Sequence, residues 1–593
     1  MATTLGQHLV DSISPSKWRG QGPLTKGNLN KVLLGVAKED AHKYPDVVTR
    51  LKRLGDEVAT LDGISVGLDD IAPRIAERDA ALKPHSDAFD RAKTHGEKVT
   101  ALLGGQAAML TLAKNHPGTM GEMVRSGGRG NAAQLMRTVG APVFADDSKG
   151  KVIPWFVGKS FSEGLKPADA WVMGGQARVN AVLSNISVVE PGDLAKILVN
   201  NMGDQLITTV DCGTKNGLSM LATDPHIIDR YQAGTNKLIT PQVASHLAHE
   251  GKSVTVRSPM TCEAAHGVCQ HCQGLSTSGH MHTIGTNIGV RAAQALAEPL
   301  TQFSLNAKHG GRVTSVDDEK RLEGIKGIRA LLEIPTSFAH KAVLADHDGT
   351  VTKIDKAPQG GHYVFVGANS HYVAPAHKVT VGVGQSLYAG DLLSDGVPKP
   401  DEVVQHKGLG EGRRYLVDAL ADVYKRAGSE MDKRHLETLA KSVLNHVQIV
   451  DPGHDDAFLK GDVVNYNRFH AALSASKTRM PTMDAIGETL SDGVLHHTAG
   501  TMVTQPIADQ LVRHGVSSVG IATQGPRALP VMHPASRTPL LNPDWMARLA
   551  HRYLKESLLK GIHQGDTSNL HGASPIPAYV AGTEFGLGEE GQY

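Results

Sequence analysis

The feature that most constrains this chain is where its cysteines fall. There are four in 593 residues, and all belong to one pattern: Cys212, then Cys262 and Cys269 with six residues between them, then Cys272 after two more. A CxxC turn presents two thiolates to one ion. A third thiolate just upstream and a distant fourth complete a tetrahedral shell. Zinc is the natural occupant of such a set, with iron as the chemical alternative. His266 and His271 lie among these residues and are alternative donors in place of Cys212. Four protein ligands leave no position for water, so the metal is expected to be structural and to clamp the fifty residues between Cys212 and Cys262. A zinc deaminase would need H-x-E ahead of P-C-x-x-C. Here His435-Leu436-Glu437 lies downstream of the cysteines and no proline precedes the CxxC, so that chemistry is excluded.

Four cysteines in so long a chain do not make a disulfide framework, which points to a reducing, cytoplasmic setting. The length implies several domains. No apolar run reaches the roughly 18 residues a membrane helix needs, and MATTLGQHLVDSIS lacks the features of a signal peptide. A net charge of +1 says little about partners.

Along the chain, Val47, Leu51 and Leu54 stand at helical spacing, and a polar, mixed-charge helix is expected near 75–98. SGGRGNAAQLMRTVG, from Ser126, reads as a glycine-rich turn entering a helix. It matches neither GxxxxGK[ST] nor a strand–GxGxxG–helix context, so a mononucleotide loop is not expected. Gly408–Gly412 (GLGEG) reads as a helix start, with Leu416, Leu420 and Tyr424 on one stripe behind it. Residues 342–395 alternate valine with polar residues between Gly and Asp-Gly turns, which predicts a small β-rich module.

The order of motifs resembles a known family. SGGRGNAAQL, FSEGLKPADAWVMGGQARVNAVLSN, VDCGT, VRSPMTCEAAHGVCQHCQG and IGVRAAQALAEPLTQFSLNAKHGG are similar, in that order, to the C-terminal half of the largest catalytic subunit of multisubunit RNA polymerases, the bacterial β′ type. Flanking segments extend the resemblance over about 20–590.

The resemblance implies a mixed α+β, multidomain and mostly helical fold with a small β-rich module. Its expected divisions are a helical funnel region at 1–120, an active-centre loop and bridge helix at 121–190, and a zinc-holding segment at 191–288. A trigger loop at 289–335, the β-rich module at 336–398 and a helical clamp base at 399–593 complete it. Arg129 falls at the family's basic position in the active-centre loop, and Arg178 on the bridge helix, Phe161–Asn185. Pro167 is tolerable only near a helix start, so that helix is expected to begin close to Lys166.

TQFSLNAKHGG resembles the trigger loop, a hinged helix that closes on the incoming nucleoside triphosphate. The match implies that Leu305 presses on the base and that Asn306 and Gln302 contact the sugar side. His309 faces the β-phosphate as a proton donor or a positive charge. Glycines directly after His309 supply the break that a folding and unfolding helix requires.

The sequence departs from the family pattern in three ways. The family's aspartate motif for the catalytic Mg2+, DFDGD, does not occur in these 593 residues. The implied arrangement is a split β′, with the magnesium held by another chain, as in cyanobacteria, plastids and large DNA phages. Only Arg312–Lys320 separates the hinge from the next helical run, which favours the phage type over the forms with a large insertion. Lys308 stands where an aromatic residue is usual, and the spacing Ala307-Lys308-His309-Gly310-Gly311 lacks one residue relative to the bacterial form. The implied partners are a β′ N-terminal-half chain carrying the aspartates, β-type subunits, a sigma-like specificity factor, DNA template, RNA transcript and NTPs, and no membrane. The alternative reading is a non-catalytic zinc-containing nucleic-acid-binding or assembly protein on the same scaffold.

Overall fold

The computed structural model describes residues 4–542 except 21, 41, 64, 148–150, 187–188, 250, 252, 307–323, 454–456 and 475–476, together with 548, 555, 559, 561–563 and 565. These residues form two compact units. One comprises 1–186 with 277–279, the other 187–276 with 280–593.

The first unit is built from helices because its apolar residues recur at helical spacing and its helix starts are capped. Thr94 accepts from the Glu97 amide while the Glu97 carboxylate reaches back to the Thr94 amide, a capping box that begins His95–Lys114. This cap explains a departure from the single helix expected near 75–98. Ile75–Arg91 stops, Ala92 turns extended, and a new helix starts at His95. The two helices pack through Leu82, Leu102 and Met109 onto Leu135, Met136 and Val139 of the helix Ala132–Val139, all buried. Fully burying each such side chain contributes about 1.5–3 kcal/mol. Asn131 caps Ala132–Val139 by accepting from the Gln134 amide, so SGGRGN is a turn feeding a capped helix. The helix Pro167–Ile186 starts at its proline, where the missing N–H costs no hydrogen bond.

The second unit has its core among five helices: Val189–Met202, Ile288–Asn306, Gly324–Glu333, Pro400–Arg426 and Lys433–Val443. Leu198, Leu296, Leu331, Leu416, Leu420 and Leu436 meet there with essentially no exposure. GLGEG does begin a helical run, as its composition suggests, and a shorter run leads into it from Pro400. It sits inside Pro400–Arg426, where Gly408 takes φ 84° and kinks the helix. Gly410 and Gly412 then allow close packing. A Cβ on Gly410 would stand 2.1 Å from the His496 carbonyl, and one on Gly412 would stand 2.4 Å from a Val404 methyl.

The valine-rich stretch carries a four-stranded antiparallel sheet in the order Asn369–Val373, His362–Val366, Gly349–Lys356, Ser386–Leu387. Val351, Val364, Val366 and Val373 fill its inner face. A further sheet of Val463–Asn465, His446–Asp451 and Arg527–Val531 lies along the C-terminal helices.

Candidate metal centre and the expected contact residues

Two short strand pairs bring the four cysteines to one point. Ile207–Thr209 runs parallel to Val268–Cys269, and Leu218–Leu221 pairs antiparallel with Ser253–Val256. Gly267, at φ 59°, lets the chain pass within contact of the Leu206 carbonyl, which no side chain would allow. The Sγ atoms of Cys212, Cys262, Cys269 and Cys272 all lie within 4.8 Å of one another. The Cys212–Cys272 and Cys212–Cys262 separations are both 3.8 Å. Sulfurs at zinc's bond length of about 2.3 Å in a tetrahedron stand about 3.8 Å apart, so the set fits that ion. Cys262, Cys269 and Cys272 are buried and Cys212 is half-buried. His266 and His271 are not among the converging atoms. His271 instead stacks on Tyr231 at 4.4 Å and turns Nδ1 to the Asp211 carboxylate at 3.2 Å.

Sequence reading missed the group that governs this centre. Arg257, buried at 2% exposure, donates from Nη2 to Cys212, Cys269 and Cys272 at 3.2, 3.4 and 3.4 Å. Its Nη1 is held by Asp211 at 2.6 Å and by Asn236 at 2.8 Å. Burial alone would lower the Arg257 pKa, but the charge of Cys272 and its hydrogen bond more than reverse this and raise it. A fixed cation against thiolates offsets their mutual repulsion and orients the ligands. Hydrogen bonds from Cys262, Cys269 and Cys272 hold the Cys212 thiol far below its ordinary range. The Cys212 sulfur raises Cys269, yet the Cys262 and Cys272 bonds outweigh it and leave Cys269 at about 6.

The centre is fastened to the helix Lys433–Val443. Lys441 donates to the carbonyls of Cys262 and Gly267, and Arg434 to those of Gln273 and Leu275. Glu437 of the same helix receives Arg230 through two bonds of 2.8 and 2.6 Å, and Ser258 at 2.6 Å. Arg230 and Glu437 are each 1% exposed. The H-L-E triplet that resembled half of a deaminase motif therefore ends in a buried structural carboxylate.

The other expected residues are not members of the cysteine cluster. Arg129 and Arg178 are exposed and belong to the first unit, Arg129 in the turn after Gly118–Ser126 and Arg178 on Pro167–Ile186. On that helix Trp171 is 77% exposed, while Asp169 is buried and accepts from the Trp155 indole at 2.9 Å. Gln302, Leu305 and Asn306 occupy the end of Ile288–Asn306, whose earlier turns are anchored by buried Ala292, Leu296 and Leu300 and by Tyr424 donating to the Leu296 carbonyl. His309 and Lys308 lie outside the described residues. Among the described residues no three carboxylates converge on one point. No helix among them is long and apolar enough to cross a membrane.

With this geometry in hand, comparison with known proteins shows what the chain is similar to. Residues 372–467 match the family described as RNA polymerase Rpb1, domain 5. This stretch runs from the β-rich module through the kinked helix and the helix holding Glu437. Longer matches are to β′ subunits. The chain is 27% identical over 496 residues to the DNA-directed RNA polymerase subunit beta' of Oceanobacillus iheyensis, covering 76% of this chain and 41% of that protein. The subunit of the same name from Staphylococcus aureus strain Mu50 is 27% identical over 470 residues, covering 71% and 38%. By sequence the chain is related to the β′-type subunits of RNA polymerase, and it spans about two fifths of the length of the curated relatives it matches.

Proposed function

We propose that the chain is a β′-like subunit of a multisubunit DNA-directed RNA polymerase and works in template-directed nucleotide addition. The observation that carries this reading is the 27% identity to β′ subunits extending over 71–76% of the chain. By motif content it corresponds to the C-terminal half of that subunit, with Pro167–Ile186 serving as the bridge helix and Gln302–His309 as the reactive face of the trigger loop.

In the proposed step the RNA 3′ oxygen forms a bond to the α-phosphorus of the incoming triphosphate while the bond to pyrophosphate breaks. Negative charge builds on the departing oxygens, and His309 meets it there with a proton or a fixed positive charge. Leu305 presses the base into place, and Asn306 and Gln302 hold the sugar, so that closing the helix converts a loose encounter into an aligned one. Arg129 and Arg178 neutralise backbone phosphates, contacts that weaken with salt and carry no sequence information.

We assign the magnesium to a partner chain carrying the aspartate motif, as in the split, phage-type β′ that the motif order and the short Arg312–Lys320 interval resemble, with β-type subunits completing the enzyme. Cys212, Cys262, Cys269 and Cys272 hold zinc, which fastens the fold and has no open position for substrate.

The test is single-nucleotide addition by the enzyme reassembled from this chain, the aspartate-bearing partner and a β-type chain. His309→Ala is expected to slow addition by about 10–10³-fold with assembly intact. An unchanged rate in that variant, or RNA synthesis by this polypeptide alone, contradicts the reading.

A further inference from the structure

The β-rich module holds a second cluster of ligand-type side chains, unrelated to the cysteines. Asp346 and His347 form the turn entering Gly349–Lys356, and His371 stands on the strand Asn369–Val373. One ligand atom from each lies within 4.8 Å of the other two. Strand register creates this meeting. His362–Val366 pairs with both neighbouring strands, matching Val351 to Val366 on one side and His371 to Val364 on the other.

The hydrogen bonding gathers these atoms on one carboxylate. His347 Nε2 lies 3.0 Å from the Val366 carbonyl, which only accepts, so Nε2 carries the proton. Its other nitrogen, Nδ1, is turned directly on the Asp346 carboxylate. The Asn369 amide lies 3.1 Å from the same Nδ1 and donates to Asp346 Oδ2 at 3.4 Å. His371 Nε2 lies 3.2 Å from the same carboxylate oxygen without hydrogen-bond geometry, and this atom is buried. Two imidazole nitrogens thus converge on one carboxylate oxygen. A backbone carbonyl fixing the far nitrogen of a histidine is the usual outer support of a metal ligand.

We propose that Asp346, His347 and His371 form a second metal site, taking a divalent first-row transition ion of the zinc class. Two imidazoles and one carboxylate are the donor set such ions prefer over magnesium or calcium. Ligand bonds of about 2.0–2.2 Å separate donors in a tetrahedron by about 3.4 Å, close to the 3.2 Å between His371 and Asp346. The Asp346 side chain is 52% exposed, so its carboxylate can open away from His347 and admit the ion, leaving a fourth position to water. The ion would tie the turn at 346–348 to the strand at 369–373. This site depends only on the module's own residues and stands whether or not the polymerase reading does.

The test uses the full chain with the cysteine centre filled with zinc, titrated with cobalt(II). A second equivalent is expected, with a visible spectrum of nitrogen and oxygen ligation and no thiolate-to-cobalt charge-transfer band. His371→Ala and Asp346→Asn should each weaken that equivalent at least tenfold, and His347→Ala with His371→Ala together should remove it, while the zinc stays bound. Asp346→Asn is at an exposed position, so its effect cannot come from unfolding. A single equivalent only, in the unaltered chain, reduces the cluster to an ion pair and overturns the proposal. So does a second equivalent that survives the double substitution, or one with a thiolate spectrum.

Discussion

Removing the Glu437 carboxylate tests how the cysteine-bearing segment is held to the C-terminal helices. Glu437→Ala leaves Arg230, at 1% exposure, as a buried guanidinium without its partner and strips Ser258 of its acceptor. Three hydrogen bonds of 2.6–2.8 Å are lost, each with a charged member. Taken singly they are worth about 1.5–3 kcal/mol each, but bonds sharing one carboxylate do not add. Breaking a buried pair from one side costs about 3–5 kcal/mol, because the remaining charge stays desolvated. That is the expected effect. A chain of two units is not a two-state system, so a single global midpoint is the wrong readout. Hydrogen exchange followed on peptides from 226–276 and 433–445 reports the local opening. Since 1.36 kcal/mol is tenfold, exchange there should accelerate by about 10²–10⁴-fold. Glu437→Gln keeps the shape and part of the bonding and should fall well short of this. Replacing both members, Arg230→Met with Glu437→Leu, should recover much of the loss. Exchange within about fivefold of the unaltered chain in Glu437→Ala would refute the claim that this pair fastens the two segments.

Two further outcomes follow from the same structure. Burial, aided by His533 in one case and by His496 in the other, pushes His446 and His497 down to about 4. Unfolded histidine titrates near 6.5, so the unfolded state alone takes the proton between those values. Stability is full above about pH 6.5, falls as pH drops towards 4, and loses up to about 3 kcal/mol per histidine. Thermal unfolding across that window should show the decline, reduced in His446→Gln; a flat profile would contradict it. Gly410→Ala should cost about 1–3 kcal/mol, since its Cβ meets the His496 carbonyl. Gly55→Ala, in an exposed helix with nothing within 4 Å, should be neutral or stabilising by up to about 1 kcal/mol. Hydrogen exchange on the helix carrying each substitution should therefore change in opposite directions or by clearly different amounts.

The metal set was legible because chemistry and scarcity coincide. A chain with four cysteines in a ligand spacing has few other uses for them, and the structure brings those four sulfurs together. Capped helix starts were readable for a similar reason: Asn131 acts on an amide three residues away, within reach of local pattern. The break before His95 was equally local, with Thr94 and Glu97 in plain view, yet the charge pattern around it suggested one continuous helix. Charges on an exposed face are compatible with either outcome, and capping hydrogen bonds decide between them.

Contacts between residues far apart in the chain were decided by the tertiary structure alone. Arg257 is an unremarkable arginine in VTVRSP until strand pairing sets it against three thiolates. Glu437 meets Arg230 across 207 positions, and no local periodicity encodes that partner. His371 reaches Asp346 only because two strands align through a third. GLGEG marks a helix start as read, but its composition did not show that another helical run leads into it across a kink. At Gly408 it is φ that matters, and at Gly410 and Gly412 it is what lies within 2.1–2.4 Å, a neighbour supplied by packing. Amino-acid order thus determined what is short-ranged: ligand identity, caps, strand alternation and the resemblance of its motifs. Packing determined which charges share a burial site, because desolvation and close contact depend on neighbours that sequence distance does not constrain.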